Sequence, residues 1–150
     1  MGLAPLRGFL SRHNRIALDT NIFIYQLQSN PRYVLLTDAI FHWLEQPGHR
    51  AVTSTITMTE LLVQPYRNSG QELADQFYAQ LATYPNLEWI APHLDSADAA
   101  ARIRATYRLR TPDALQAATA LHAGATALIT NDPVFQRVLN IETLALDDLL

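Results

Sequence analysis

Four carboxylates stand where short apolar runs give way to helical ones: Asp19 in Ile16-Ala17-Leu18-Asp19-Thr20-Asn21, Glu60 in Thr59-Glu60-Leu61, Asp113 in Thr111-Pro112-Asp113-Ala114 and Asp132 in Thr130-Asn131-Asp132-Pro133. Brought within a few ångströms, two such groups repel by about 4 kcal/mol at an effective dielectric of about 20. A cluster of them therefore requires a positive partner. The chain has no lysine and no cysteine, and no histidine group accompanies these acids. The expected partner is a hard cation, Mg2+ or Mn2+, held by oxygen ligands; the same donor set disfavours zinc. An ion so held lowers the pKa of a water and offsets charge on phosphoryl oxygens, which is the chemistry of phosphodiester hydrolysis.

Each acid taken alone also has an ordinary explanation. Asp19 and Asp132 precede helical segments and can cap free backbone N–H groups. Asp113 falls in a first helical turn, with Thr111 as N-cap and Pro112 at the first helical position, where a carboxylate favours the helix dipole. Glu60 can stand at the border of an apolar helix face, four positions after Ile56 and just before Leu61 and Leu62. Thr20, Asn21, Thr130 and Asn131 are candidate supporting groups, able to hold a carboxylate or a phosphate oxygen.

The elements that must position these residues alternate between strand-sized and helix-sized runs, which implies an α/β architecture. Strands are expected at residues 16–18, 50–53, 87–91, 127–129 and 141–144. Helices are expected at 21–28, 32–45, from Ser54 or Thr55 to Leu62, and at 71–84, 96–107 and 111–122, the last stopped by Gly124. Val34, Leu35, Ala39, Ile40 and Trp43 mark one apolar face, and Leu73, Phe77, Tyr78 and Leu81 another. Each strand leads into a helix, so a parallel sheet of about five strands with helices on both faces is expected. Ligands of such sheets gather beyond the carboxyl ends of the strands, where Asp19 and Asp132 lie.

At 150 residues with 49 % hydrophobic content the chain is expected to form one domain with a core of its own. Residues 1–15 carry Arg7, Arg12, His13 and Arg15 and read as a short helix or tail ahead of the first strand. The absence of cysteine excludes disulfides and thiol catalysis and fits a cytoplasmic life. No apolar run is long enough for a membrane span. A net charge of -3 and a pI near 5.9 argue against a broadly basic nucleic-acid surface, so any RNA contact must be local.

In these four motifs the chain resembles the PIN-domain family, most closely the VapC-type toxins of toxin–antitoxin pairs. The marks are Leu18-Asp19-Thr20-Asn21, Thr59-Glu60-Leu61, Pro112-Asp113-Ala114-Leu115-Gln116-Ala117-Ala118 and Ile129-Thr130-Asn131-Asp132-Pro133-Val134-Phe135, in that order. The resemblance runs from about Ile16 to the end of the chain, making residues 16–150 a single PIN domain behind a 15-residue extension. It implies a three-layer fold with Asp19, Glu60, Asp113 and Asp132 as the acidic site. It also implies a Mg2+- or Mn2+-dependent ribonuclease that dimerises and is inhibited by a small antitoxin.

In that scheme Asp19 and Asp113 are the expected principal metal ligands. Glu60 is a ligand or an acceptor for bound water, and Asp132 is a second-metal or outer-shell ligand. Arg104, Arg108 and Arg110, in the densest basic stretch, are candidates for holding RNA phosphates, with a solvated helix face as the alternative. Tyr25, Trp43 and Tyr66 are aromatic enough to stack on bases but suit packing as well. Of Phe23, Ile24 and Leu27, two are expected in the core. The five histidines show no ligand-like spacing. The rival expectation is a PIN-like module that binds RNA or a protein without cleaving.

Overall fold

The computed structural model describes residues 2–150. Five strands, β1 (Arg15–Leu18), β2 (Arg50–Ser54), β3 (Leu87–Ile90), β4 (Ala127–Thr130) and β5 (Glu142–Ala145), form one sheet in the order β3-β2-β1-β4-β5. All four pairings are parallel. Seven α-helices cover it: α1 (Leu3–Ser11), α2 (Thr20–Leu27), α3 (Val34–Glu45), α4 (Thr55–Gln64), α5 (Gln71–Ala82), α6 (Leu94–Tyr107) and α7 (Thr111–His122).

The period-2 alternation of the strands sorts side chains into two cores. Ile16, Leu18, Ala127 and Ile129 face a core of large residues from α1 to α5, including Leu6, Phe23, Ile40 and Leu61. Ala17, Val52 and Leu128 face the other, where α6 and α7 contribute chiefly alanines: Ala100, Ala114, Ala117, Ala118 and Ala120. Small side chains let α7 approach the sheet closely, which seats its first turn against the strand ends.

Chain order explains where a site must form. From β1 the chain runs outward to β2 and β3, then returns to build β4 on the other side of β1. The carboxyl ends of β1 and β4 therefore flank the topological switch of the sheet. Backbone pairing continues past β1, as Asp19 N–H donates to the Ile129 carbonyl at 3.0 Å.

Several local expectations are corrected. Arg110, not Thr111, occupies the N-cap of α7, and Pro112 falls one position later than expected. The Thr111 hydroxyl instead accepts from Arg104 Nη1 at 2.9 Å, a tertiary use invisible in the local pattern. Helix α4 runs to Gln64, beyond Leu62, and widens into a π turn over Pro65–Ser69. Proline has no N–H for the regular ladder, and Gly70 N–H closes the wide turn on the Pro65 carbonyl at 2.7 Å. Leu35 and Tyr78, assigned to apolar faces, are exposed. Phe23 is fully buried whereas Ile24 and Leu27 are half-buried, so one of that trio, not two, is core.

Residues 3–11 are helical and load-carrying in the packing sense: Leu6, Phe9 and Leu10 are buried in the large-residue core. Met1 lies outside the described residues. Among the described residues no helix is long and apolar enough to cross a membrane.

Candidate metal centre

Asp19 leaves β1 with extended backbone and caps α2, its carboxylate accepting from Thr20 N–H at 2.8 Å. The second oxygen accepts from the Thr130 hydroxyl at 2.7 Å, so the last residue of β4 holds the acid that follows β1. Asp19 is only 8 % exposed. Burial pushes its pKa up to about 6, against the lowering effect of these two hydrogen bonds, and the negative charges of Asp113 and Glu60 push the same way.

Glu60 reaches the group from α4, where its Oε1 accepts from the Thr20 hydroxyl at 2.7 Å. Asp113 projects from the first turn of α7 with its side chain 15 % exposed. Its pKa is raised chiefly by burial, with Arg110 opposing and the Asp132 charge adding. Asp132 caps the 3-10 turn Pro133–Arg137 by accepting from Val134 N–H at 3.0 Å, and its own N–H donates to Thr130 Oγ1 at 2.9 Å. Thus Thr130 touches both Asp19 and Asp132, and Thr20 links Asp19 to Glu60.

The four acids sit within electrostatic reach of one another in a chain: Glu60 and Asp113 act on Asp19, and Asp132 acts on Asp113. Among the described residues, however, no three Asp, Glu or His side chains converge tightly enough to chelate an ion as they stand. Local donors turn individual oxygens away, as the Val134 amide does for Asp132. The donor chemistry nonetheless suits a hard cation: every candidate ligand is an oxygen, and the buried Asn21 Oδ1 has no hydrogen-bond donor.

The other expected helpers divide. Asn131 does not face the acids; its Nδ2 donates to the Tyr25 hydroxyl at 3.1 Å and its Oδ1 accepts from Asp147 N–H at 2.8 Å. Arg104 is engaged by the Leu109 carbonyl at 3.0 Å as well as by Thr111. Arg108 has left the helix, ending α6 in the left-handed region at φ 61°. Arg110 stays with the site, its Nε donating to Asp113 at 3.4 Å from a side chain 80 % exposed. Tyr25 stacks on Tyr33 at 4.2 Å and Trp43 on His49 at 4.2 Å, both packing roles.

Sequence reasoning missed a buried polar cluster beneath the acids, comprising Thr53, Thr57 and Gln116. Its available signal was the polar residue three positions after Asp113 in an otherwise alanine-rich stripe. Also missed was the tie from Tyr33 to Asp147, 2.7 Å, which fastens the segment before α3 to the 3-10 turn Leu146–Leu149.

Residues 16–140 match the family described as PIN domain. No curated protein matches the chain. Among solved structures, VapBC-1 from nontypeable Haemophilus influenzae is similar with a TM-score of 0.68 and 23 % identity, over 89 % of this chain and 98 % of that one. A toxin–antitoxin complex from Klebsiella pneumoniae gives 0.66 and 25 %, over 87 % and 97 %. VapBC2 from Rickettsia felis, bound to a DNA fragment from its promoter, gives 0.65 and 22 %, over 87 % and 98 %.

Proposed function

The chain belongs to the PIN domain family, and from that premise we propose that it is a Mg2+- or Mn2+-dependent ribonuclease, hydrolysing RNA phosphodiester bonds as the toxin of a type II toxin–antitoxin pair. The observation that carries this reading is the carboxylate group at the sheet switch, whose most buried member, Asp19, is pushed up to about 6 with two acidic neighbours adding to the shift.

Asp19 and Asp113 would hold the cation, joined by Glu60, with Asp132 as an outer or second-ion ligand. Bound there, the ion would lower the pKa of an attacking water and offset charge on the phosphoryl oxygens. Thr130 and the Thr20 amide keep the Asp19 oxygens aimed, and the Thr20 hydroxyl does the same for Glu60. Relaxing the Asp132 cap and the Arg110 contact would release further oxygens towards the ion. Arg110, exposed beside Asp113, would meet a substrate phosphate.

The similar structures are toxin–antitoxin complexes, which supports a small antitoxin as partner of this chain, acting in the cytoplasm where RNA is met. Ile24, Leu27 and Phe77, together with Gln28, Glu60 and Gln64, line a small cleft that could take a single side chain of such a partner. A homodimer is part of the same proposal.

One observation favours a rival, a module that binds RNA without cutting it: no three acids converge on one point as the side chains stand. Incubating the purified protein with RNA and DNA oligonucleotides of matched sequence separates the readings. The proposal expects Mn2+-dependent cleavage of RNA that Asp19→Asn abolishes. Binding without cleavage, unchanged in Asp19→Asn, would establish the rival.

A further inference from the structure

We infer that Gln116 is a positioning residue for the acidic centre, setting the helix of Asp113 against the helix of Glu60 and the strand end of Asp19 through a directed chain of buried hydrogen bonds. This rests on the nuclease reading above and adds a residue that holds no metal and meets no substrate.

Gln116 is 3 % exposed on the inner face of α7, and Thr53, Ser54 and Thr57 are buried with it. Its Oε1 accepts from Ser54 N–H at 2.9 Å, at the residue that caps α4. Its Nε2 donates to Thr57 Oγ1 at 2.7 Å, three positions before Glu60 on α4. Thr53 and Thr57 hydroxyls lie 2.8 Å apart, and the Thr53 hydroxyl donates to the Leu18 carbonyl at 2.9 Å.

Hydrogen counting fixes the direction throughout. The single Thr53 hydrogen goes to Leu18, so Thr57 must donate to Thr53, which leaves a Thr57 lone pair for the Gln116 amide. The chain thus starts one turn inside the Asp113 helix and ends on the carbonyl immediately before Asp19. Thr20 Oγ1 lies 3.3 Å from Thr57 and 2.7 Å from Glu60, so its one hydrogen serves Glu60 while the hydroxyl packs on the chain.

The surroundings explain why position needs such a device. α7 meets the sheet through alanines, which pack closely but interlock little. Directional bonds in a dry core define the helix register where smooth packing alone leaves it loose, and misplacing a catalytic group by about 1 Å can lower a rate on the order of 100-fold. Three of the four acids are tied to this one network.

The test compares wild type, Gln116→Met, Thr57→Val and the double variant as full-length proteins, with a single-stranded RNA oligonucleotide and Mn2+. Each single variant is expected to lose roughly 10- to 100-fold in kcat at unchanged KM. Mn2+ binding, followed by electron paramagnetic resonance without RNA, weakens in parallel. The double variant is no worse than the poorer single one, because both break the same chain.

A Gln116→Met protein that melts earlier yet keeps wild-type kcat and Mn2+ affinity overturns the inference, as do single losses that multiply in the double variant. Should Gln116→Met not fold, Thr57→Val decides by the same two readouts. Wild type that never cleaves RNA defeats the nuclease reading instead, and Mn2+ binding by the variants then decides whether Gln116 positions the acids.

Discussion

The two ends of the sheet use the same residue types in opposite ways. At the amino end, Glu142 receives Arg12 at 2.7 Å and His13 at 3.0 Å, and Glu88 faces Arg15 at 3.4 Å. At the carboxyl end, among the described residues, the one ion pair made by Asp19, Glu60, Asp113 or Asp132 is that of Asp113 with the exposed Arg110. Solvent-facing pairs such as Arg12–Glu142 and Arg15–Glu88 contribute about 0–1 kcal/mol, so the contrast concerns charge balance more than stability. The carboxyl end of the sheet thus carries an excess of negative charge, a deficit of cations that a bound metal ion would offset under the nuclease proposal.

The largest effect that sharpens the contrast is on catalysis. Asp19→Asn is expected to lower Mn2+-supported RNA cleavage by on the order of 10²–10³-fold or more, while Glu142→Gln at the opposite end stays near the wild-type rate. Initial rates on one labelled oligonucleotide check both, and equal losses would erase the distinction between the two ends.

Next comes stability against pH. The Asp19 carboxyl titrates about 6 in the folded protein against 3.8 ordinarily, so the native state holds the extra proton between these values. Its contribution is fully present below pH about 4 and is lost as pH rises through about 6, with an upper size of about 3 kcal/mol. Metal-free wild type should therefore lose stability relative to Asp19→Asn as pH rises from about 4 to about 6.5 in urea titrations with a chelator present. Parallel curves for the two proteins would contradict the deficit.

Restoring the missing charge gives an effect of similar or smaller size. At 100 times its dissociation constant Mn2+ should stabilise the wild type by about 2.7 kcal/mol at pH 7.5, read as a rise in the thermal midpoint that chelation reverses. The rise should shrink in Asp19→Asn and in Asp113→Asn. A midpoint indifferent to Mn2+ would mean that the acids take no cation.

The smallest change is expected from Arg110→Ala. Arg110 lowers the Asp113 pKa against burial and the Asp132 charge, so its loss should move the acid limb of the cleavage profile to higher pH. An unmoved limb would show that solvent already screens this guanidinium.

What the sequence disclosed followed physical range. Strand positions and the parallel order were legible because β1, β2 and β4 are short runs rich in apolar residues and strands β1 to β3 feed helices, and the acids at Asp19 and Asp132 stood out at strand ends. The N-cap of α7 was misread because the Thr111 hydroxyl is claimed by Arg104, seven residues earlier in the chain. Asn131 looked equivalent to Thr130, yet one turns to Tyr25 and the other to Asp19, a choice made by packing around Tyr25 and Asp147. Gln116 carries no local mark of its role, since only the fold puts Thr57 and Ser54 against it. Features set by the local pattern of residue types were readable, and those set by a specific side-chain partner were not, whether seven residues away as with Arg104 and Thr111 or 62 as with Ser54 and Gln116.

The central place of β1 has a consequence for how the protein is made. Its partner β4 lies more than a hundred residues downstream, and Thr130 at the end of β4 supplies the hydroxyl that steadies Asp19. Translation must therefore pass Thr130 before Asp19 gains this companion, because long-range parallel pairing waits for the later strand. On the nuclease proposal, a nascent copy that holds Asp19 and Glu60 without Asp132 would not yet cut the RNA that encodes it.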